Sequence, residues 1–135
     1  MGSATKVSFA PVEWCAEAES HLLSIEGVTN AACDYYQEAT NQGEKNLWGV
    51  FVDEQRVGSI IWHTGLDLGR KFLMVDEMAA NAISGLQLAS EADEFISHIG
   101  GVVKADIVRF WTRRTGLVQL MQNHWETQYV MERTL

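Results

Sequence analysis

Two acids stand side by side in an apolar run, Phe72-Leu73-Met74-Val75-Asp76-Glu77-Met78. A carboxylate beside a cleft can accept a proton in general acid–base chemistry. Successive strand residues face opposite sides of a sheet, so at most one of the pair would reach a given cleft. A strand closed by ordinary charged residues is the other reading of the same pair. Farther along, Ser84 is followed three residues later by Gln87, the spacing of a capping box at a helix start. The first turn of a helix carries unpaired N–H groups and the positive end of the dipole, which makes it an anion cradle. Capping and anion binding are both open to this segment, and a cap satisfied by its own side chain has less to offer a ligand.

Other chemistry is thinner. His21, His63, His98 and His124 share no metal-like spacing, and Cys15 and Cys33 are too few and too far apart for a zinc cluster or a disulfide scaffold. His63 ends a strand near the mouth of a hairpin and could serve as a base. Arg113-Arg114 could meet a phosphate or a partner carboxylate, with solvent exposure as the ordinary expectation. There is no Gly-x-Ser-x-Gly elbow, no Walker loop and no Gly-x-Gly-x-x-Gly turn.

The elements that position these residues belong to a chain of 135 residues, read as one domain over 1–135. Apolar residues make up 47%, and the aromatic residues (Trp 5, Tyr 3, Phe 5) exclude a disordered chain. No apolar run approaches the roughly 20 residues of a membrane span, and Met1–Lys6 does not open a secretory signal. The expectation is a soluble, cytoplasmic protein with both cysteines reduced in its core. Net charge is −8. The excess acid lies in the first hundred residues, while the last thirty-five carry net positive charge. That balance disfavours nonspecific nucleic-acid binding, which needs a basic face to displace counterions. An acidic half could attract a basic partner or mimic nucleic acid, but a solvated surface is the plainer account. Nothing in the chain ranks an acidic inhibitor of a DNA-binding protein above the other readings.

Val and Phe alternate through Lys6–Phe9, which predicts a short first strand. Pro11 suits the first turn of a helix, whose apolar positions run from Trp14 through Ala18 and Leu22 to Ile25 before Gly27. Thr29 or Asn30 can cap a second helix reaching toward Gly43. Leu47–Val52 and Val57–His63, parted by Asp53-Glu54-Gln55-Arg56, signal a β-hairpin. A loop with Gly65 and Gly69 leads to the strand Phe72–Met78. The helix opened by Ser84 places Leu88, Ala92, Phe95, Ile96 and Ile99 on one face, with Gly100-Gly101 at its end. Val102–Val103 and Asp106–Trp111 read as strand, Thr115 or Gly116 starts a short helix, and Glu126–Met131 forms a last strand. The order β-α-α-β-β-β-α-β-α-β predicts an α/β (α+β) class with one mixed, mainly antiparallel sheet flanked by helices.

That order resembles the acyl-CoA N-acyltransferase (GNAT) superfamily over essentially the whole chain. The likeness is most telling where the strand Phe72–Met78 meets the Ser84 helix. The tail Tyr129-Val130-Met131-Glu132-Arg133-Thr134-Leu135 is similar to the family's finish. The chain also resembles divergent acetyltransferase-like proteins of tailed phages, including internal virion proteins.

The resemblance implies acetyl-CoA held between the strands Phe72–Met78 and Asp106–Trp111, which part near Met78. Backbone groups of Met78 and Ala79 would meet the pantetheine arm, and the amides of Gly85, Leu86 and Gln87 the diphosphate. The family signature of Arg or Gln, two residues, Gly, one residue, then Gly or Ala aligns with Ala82-Ile83-Ser84-Gly85-Leu86-Gln87, where only Gly85 matches. Glu77 is the first choice of base, with Asp76 behind it. The position of the family's tyrosine acid, counted back from Trp125, holds Leu120; Tyr129 is close in sequence but lies on an expected strand. The implied activity is acetyl transfer to an amine of a small molecule or a protein. The alternative is a non-catalytic phage structural or host-interaction protein, binding a phage or host protein partner in the host cytoplasm or the virion.

Overall fold

A computed structural model describes residues 6–110, 125–126, 128 and 131–134. The elements in chain order are β1 (Val7–Pro11), α1 (Ala16–Leu23), α2 (Asn30–Asn41), β2 (Asn46–Val52), β3 (Gln55–Asp67), β4 (Arg70–Ala80), α3 (Gly85–Val102) and β5 (Ile107–Phe110). They form a five-stranded sheet in the order β1-β2-β3-β4-β5. The first four strands are antiparallel to their neighbours, and β4 pairs with β5 in parallel. A parallel neighbour requires a crossover, which α3 supplies. This is the mixed, mainly antiparallel sheet expected, and the first eight elements of the expected order are all present. The short helix from Thr115, Arg113-Arg114, Leu120, His124 and Tyr129 lie outside the described residues. Glu126, Gln128 and Met131 of the expected last strand have no regular secondary structure.

Two apolar clusters hold the helices to opposite faces. On one face, Leu88, Ala92, Ile96 and Ile99 of α3 pack on Val50, Ile60, Trp62, Leu73, Val75 and Met78. On the other, Ala18 and Leu22 of α1 and Cys33 of α2 close over Leu47 and Ile61. Burying a side chain such as Leu22 or Ile96 is worth roughly 1.5–3 kcal/mol, so these rows, more than helix propensity, fix where the helices lie. Among the described residues no helix is long and apolar enough to cross a membrane.

Several local expectations change. Pro11 is not in a helix: it ends β1, opposite Trp48, on an outer strand where a missing N–H costs no ladder bond. Helix α1 begins later, after Cys15, which is its N-cap and is partly exposed rather than a core residue; Cys33 is buried, and both are free thiols. Gly65 lies inside β3, not in a loop, with the Phe72 ring covering the space a side chain would need. Gly100 and Gly101 do not end α3. The helix continues to Val102, and Lys104 takes the left-handed position, with Lys104 N–H on the Gly101 carbonyl and Ala105 N–H on that of Gly100. Gly100 instead allows close approach, since a Cβ there would meet Val108 at 3.2 Å. Val102 and Val103 accordingly belong to the helix end and not to a strand.

The hairpin turns are tighter than the four polar residues suggested. Val52 pairs with Gln55, so Asp53-Glu54 alone makes the turn, with φ of 49° and 71°. This is the twist-matched two-residue turn that favours glycine in its second position. Glu54→Gly is therefore expected to raise stability by about 0.5–1 kcal/mol. Urea unfolding of the two proteins, compared at equal slope, checks it.

Candidate active site

The strand that carries the two acids is irregular where they stand. Trp62 of β3 pairs with Val75, and Ile61 with Glu77, which leaves Asp76 as an extra residue in β4. Such a β-bulge bends the strand and re-aims its side chains. Its effect is visible in the burial: Leu73 and Val75 face α3 at ordinary two-residue spacing, but the next residue on that face is Met78. Asp76 and Glu77 consequently share the face of α1 and α2. The expectation that they point to opposite sides fails here because alternation holds only in an unbulged strand.

Glu77 meets α2. The Tyr36 hydroxyl donates to Glu77 Oε1 at 3.1 Å, and Tyr36 packs against the second apolar cluster. Burial first, and then the neighbouring Glu77 carboxylate, push the Tyr36 phenol well above its ordinary range, so it stays a protonated donor. Asp76 is gripped from two sides. Lys45, at the corner between α2 and β2, donates to Oδ1 at 2.9 Å. His63 Nδ1 lies 2.7 Å from Oδ2. Side-chain exposure is only 11% for Lys45 and 13% for Asp76, against 26% for His63. Tyr36 and Lys45 escaped sequence reasoning because they meet β4 across more than thirty residues with no local pattern. The bulge left a trace in the apolar spacing 73, 75, 78, which breaks the period of two.

At the carboxyl end of β4 the chain turns into α3. Met78 and Ala79 are buried and pair with Ile60 and Ser59 of β3. Toward β5 the pairing runs from Phe72–Ile107 to Val75–Phe110, and the stretch in which the two strands were expected to part falls beyond Phe110, outside the described residues. Ala82, in the turn, has φ of 58°, a strained value for a residue with a Cβ. Ser84 caps α3, its Oγ accepting from Gln87 N–H at 3.1 Å. The cap expected from the sequence thus takes the Gln87 amide. Among the described residues the amides of Gly85 and Leu86 have no partner, and no atom lies within 4 Å of where a Gly85 side chain would stand. N–H groups at a helix start that no described residue engages fit an anionic group such as a diphosphate.

The backbone has close counterparts among solved structures. It superposes on a ribosomal-protein-alanine N-acetyltransferase from Brucella melitensis biovar Abortus 2308 with a TM-score of 0.72, 12% identity, and coverage of 96% of this chain and 97% of that one. An aminoglycoside N-acetyltransferase in complex with CoA matches at a TM-score of 0.68 and 11% identity, over 100% and 98% of the two chains. Glucosamine-6-phosphate N-acetyltransferase from Arabidopsis thaliana gives 0.63 at 10% identity, over 96% and 98%. The fold is that of the acyl-CoA N-acyltransferases. No protein-family model and no curated protein matches the sequence, so the likeness resides in the backbone.

A second polar group lies under α1, apart from the two acids. His21 Nδ1 is 2.8 Å from Ser59 Oγ, and Arg56 donates to Ser59 Oγ at 3.1 Å and to Cys15 Sγ at 3.2 Å. Backbone N–H groups of Ala18 and Glu17, with Arg56, hold the Cys15 thiol below its ordinary value despite partial burial. Burial, and then the Arg56 charge, hold the His21 imidazole below its ordinary value. Its folded value lies below its unfolded one near 6.5, so the neutral ring stabilises fully above about pH 6.5. That contribution is lost as pH falls through the lower folded value. His21→Gln is expected to flatten the fall in urea midpoint between about pH 7 and pH 5 relative to the parent protein.

Proposed function

We propose that this protein transfers an acetyl group from acetyl-CoA to an amine, of a small molecule or of a protein. The observation that carries the reading is the bulge that sets Glu77 beside Tyr36, on a strand that runs directly into the anion-accepting start of α3. Acetyl-CoA supplies the acyl thioester. Its diphosphate would rest on the amides of Gly85 and Leu86, with the Gln87 amide already engaged by the Ser84 cap. Backbone groups of Met78 and Ala79 would align the pantetheine arm. Glu77 accepts a proton from the acceptor amine, and the Tyr36 hydroxyl holds the carboxylate in place for that step. Leu120 at the position of the family's tyrosine acid leaves the thiolate to take its proton from another donor.

A non-catalytic use of the same fold is the second reading, and the engaged Gln87 amide and Leu120 are what speak for it. The two readings predict different solution behaviour. A ligand that binds only the folded state raises stability, by about 2.7 kcal/mol at a hundredfold excess over Kd. Acetyl-CoA is therefore expected to raise the thermal midpoint in a saturable way. No shift at millimolar acetyl-CoA overturns the enzyme reading. With an accepted amine in hand, Glu77→Gln should lower kcat by about 10²–10⁴ while leaving acetyl-CoA binding intact. Gln87→Ala restores the small residue of the family pattern and should tighten CoA binding, read as a lower Kd by calorimetry.

A further inference from the structure

We infer that His63, oriented by Asp76 and backed by Lys45, is a second proton acceptor on the sheet face that carries Glu77, with Asp76 and Lys45 as positioning residues. The inference rests on the acetyl-transfer reading and concerns the fate of its protons. At neutral pH an alkyl amine enters as an ammonium. Its nitrogen forms the new C–N bond to the acetyl carbon, and the C–S bond of the thioester breaks. The products are a neutral amide and a neutral thiol, so nitrogen gives up two protons over the reaction. One ends on the departing sulfur, and the other must leave to solvent. One carboxylate can serve one of these transfers at a time, so a second acceptor with access to water completes the balance.

The geometry points to His63 for that role. The 2.7 Å contact between Nδ1 and Asp76 Oδ2 requires a proton on the line between them. Asp76 also accepts from Lys45 at 2.9 Å, a carboxylate serving as acceptor on both oxygens, so the ring supplies the proton and Nδ1–H donates. Lys45 Nζ, 3.1 Å from the same ring nitrogen, then directs its hydrogen bond to Oδ1. In the neutral ring this arrangement leaves the lone pair on Nε2, which makes no hydrogen bond among the described residues. The ring packs edge-on against Phe72, 5.8 Å between centroids, and Phe72 in turn lies under the Arg109 guanidinium at 5.0 Å. His63 is the most exposed member of the triad, which gives its proton a way out. An imidazole fixed at one nitrogen by a carboxylate is the usual way to present the other as a base.

Two measurements test this on the full chain. In the 15N-labelled protein, long-range ring correlations should show neutral His63 as the Nδ1–H tautomer, and Asp76→Asn should abolish that preference. In steady-state kinetics with an accepted amine, His63→Gln should lower kcat by about 10²-fold, with the KM for acetyl-CoA and the acetyl-CoA thermal shift unchanged. Asp76→Asn should lower kcat at least tenfold and alter the tautomer together, a coupling that a merely structural role does not produce. An Nε2–H tautomer in the parent protein, or a His63→Gln protein that binds acetyl-CoA and keeps more than half its kcat, overturns the proposal and leaves the acetyl-transfer reading standing. Absence of acetyl-CoA binding by the parent protein overturns both.

Discussion

The arrangement depends on one inserted residue. A regular β4 would continue the alternation of Leu73 and Val75 and drive Glu77 into the apolar cluster beneath α3, with Met78 on the opposite face. An unpaired carboxylate in such a core is prohibitively costly unless it is neutralised. The extra residue at Asp76 relieves that conflict: Met78 enters the core, and both acids emerge on the face covered by α1 and α2. The same shift that satisfies the core therefore concentrates Asp76, Glu77, His63, Lys45 and Tyr36 in one region. The packing of the core and the clustering of these polar side chains have a common cause here.

The surroundings keep the bulge in place. Lys45 comes from the corner after α2 and His63 from β3, so the Asp76 carboxylate ties three elements together. Little water reaches Lys45 and Asp76, and an ion pair with good geometry is screened less there than on an open surface. Elsewhere β3 and β4 approach so closely that a Cβ at Gly58 would collide with the Ala79 carbonyl oxygen. That contact and the tight turns at Asp53-Glu54 and Leu68-Gly69 define the register on both sides of β3, and with it the level at which His63 meets Asp76.

The start of α3 carries an opposing demand. Ser84 stabilises the helix by taking the Gln87 amide, a contribution of about 1 kcal/mol. Each first-turn N–H used in this way is withdrawn from a bound anion. The amides of Gly85 and Leu86 have no partner among the described residues, so the capped start still presents donors, though fewer than an uncapped turn. The strained Ala82 places the start of α3 just past the end of β4, next to the bulged segment.

Much of the fold was legible along the chain because its signals are local. The Ser84 cap, the Thr29 cap with its hydroxyl on the Ala32 amide, the hairpin and the apolar face of α3 all follow from residues within one or two turns of each other. The misread positions were those where a distant partner decides. Pro11 is tolerated in a strand because β1 lies at the sheet's margin. Gly100 stays helical because Val108 needs the room, and Lys104 supplies the left-handed turn instead. Residue types, read with the family resemblance, pointed to Asp76 and Glu77 as candidates and to His63 as an outside one. Only the three-dimensional arrangement put them on one face and brought Tyr36 and Lys45 to them, because a single unpaired residue inverts the facing of everything after it, and that residue is chosen by the packing of the whole sheet.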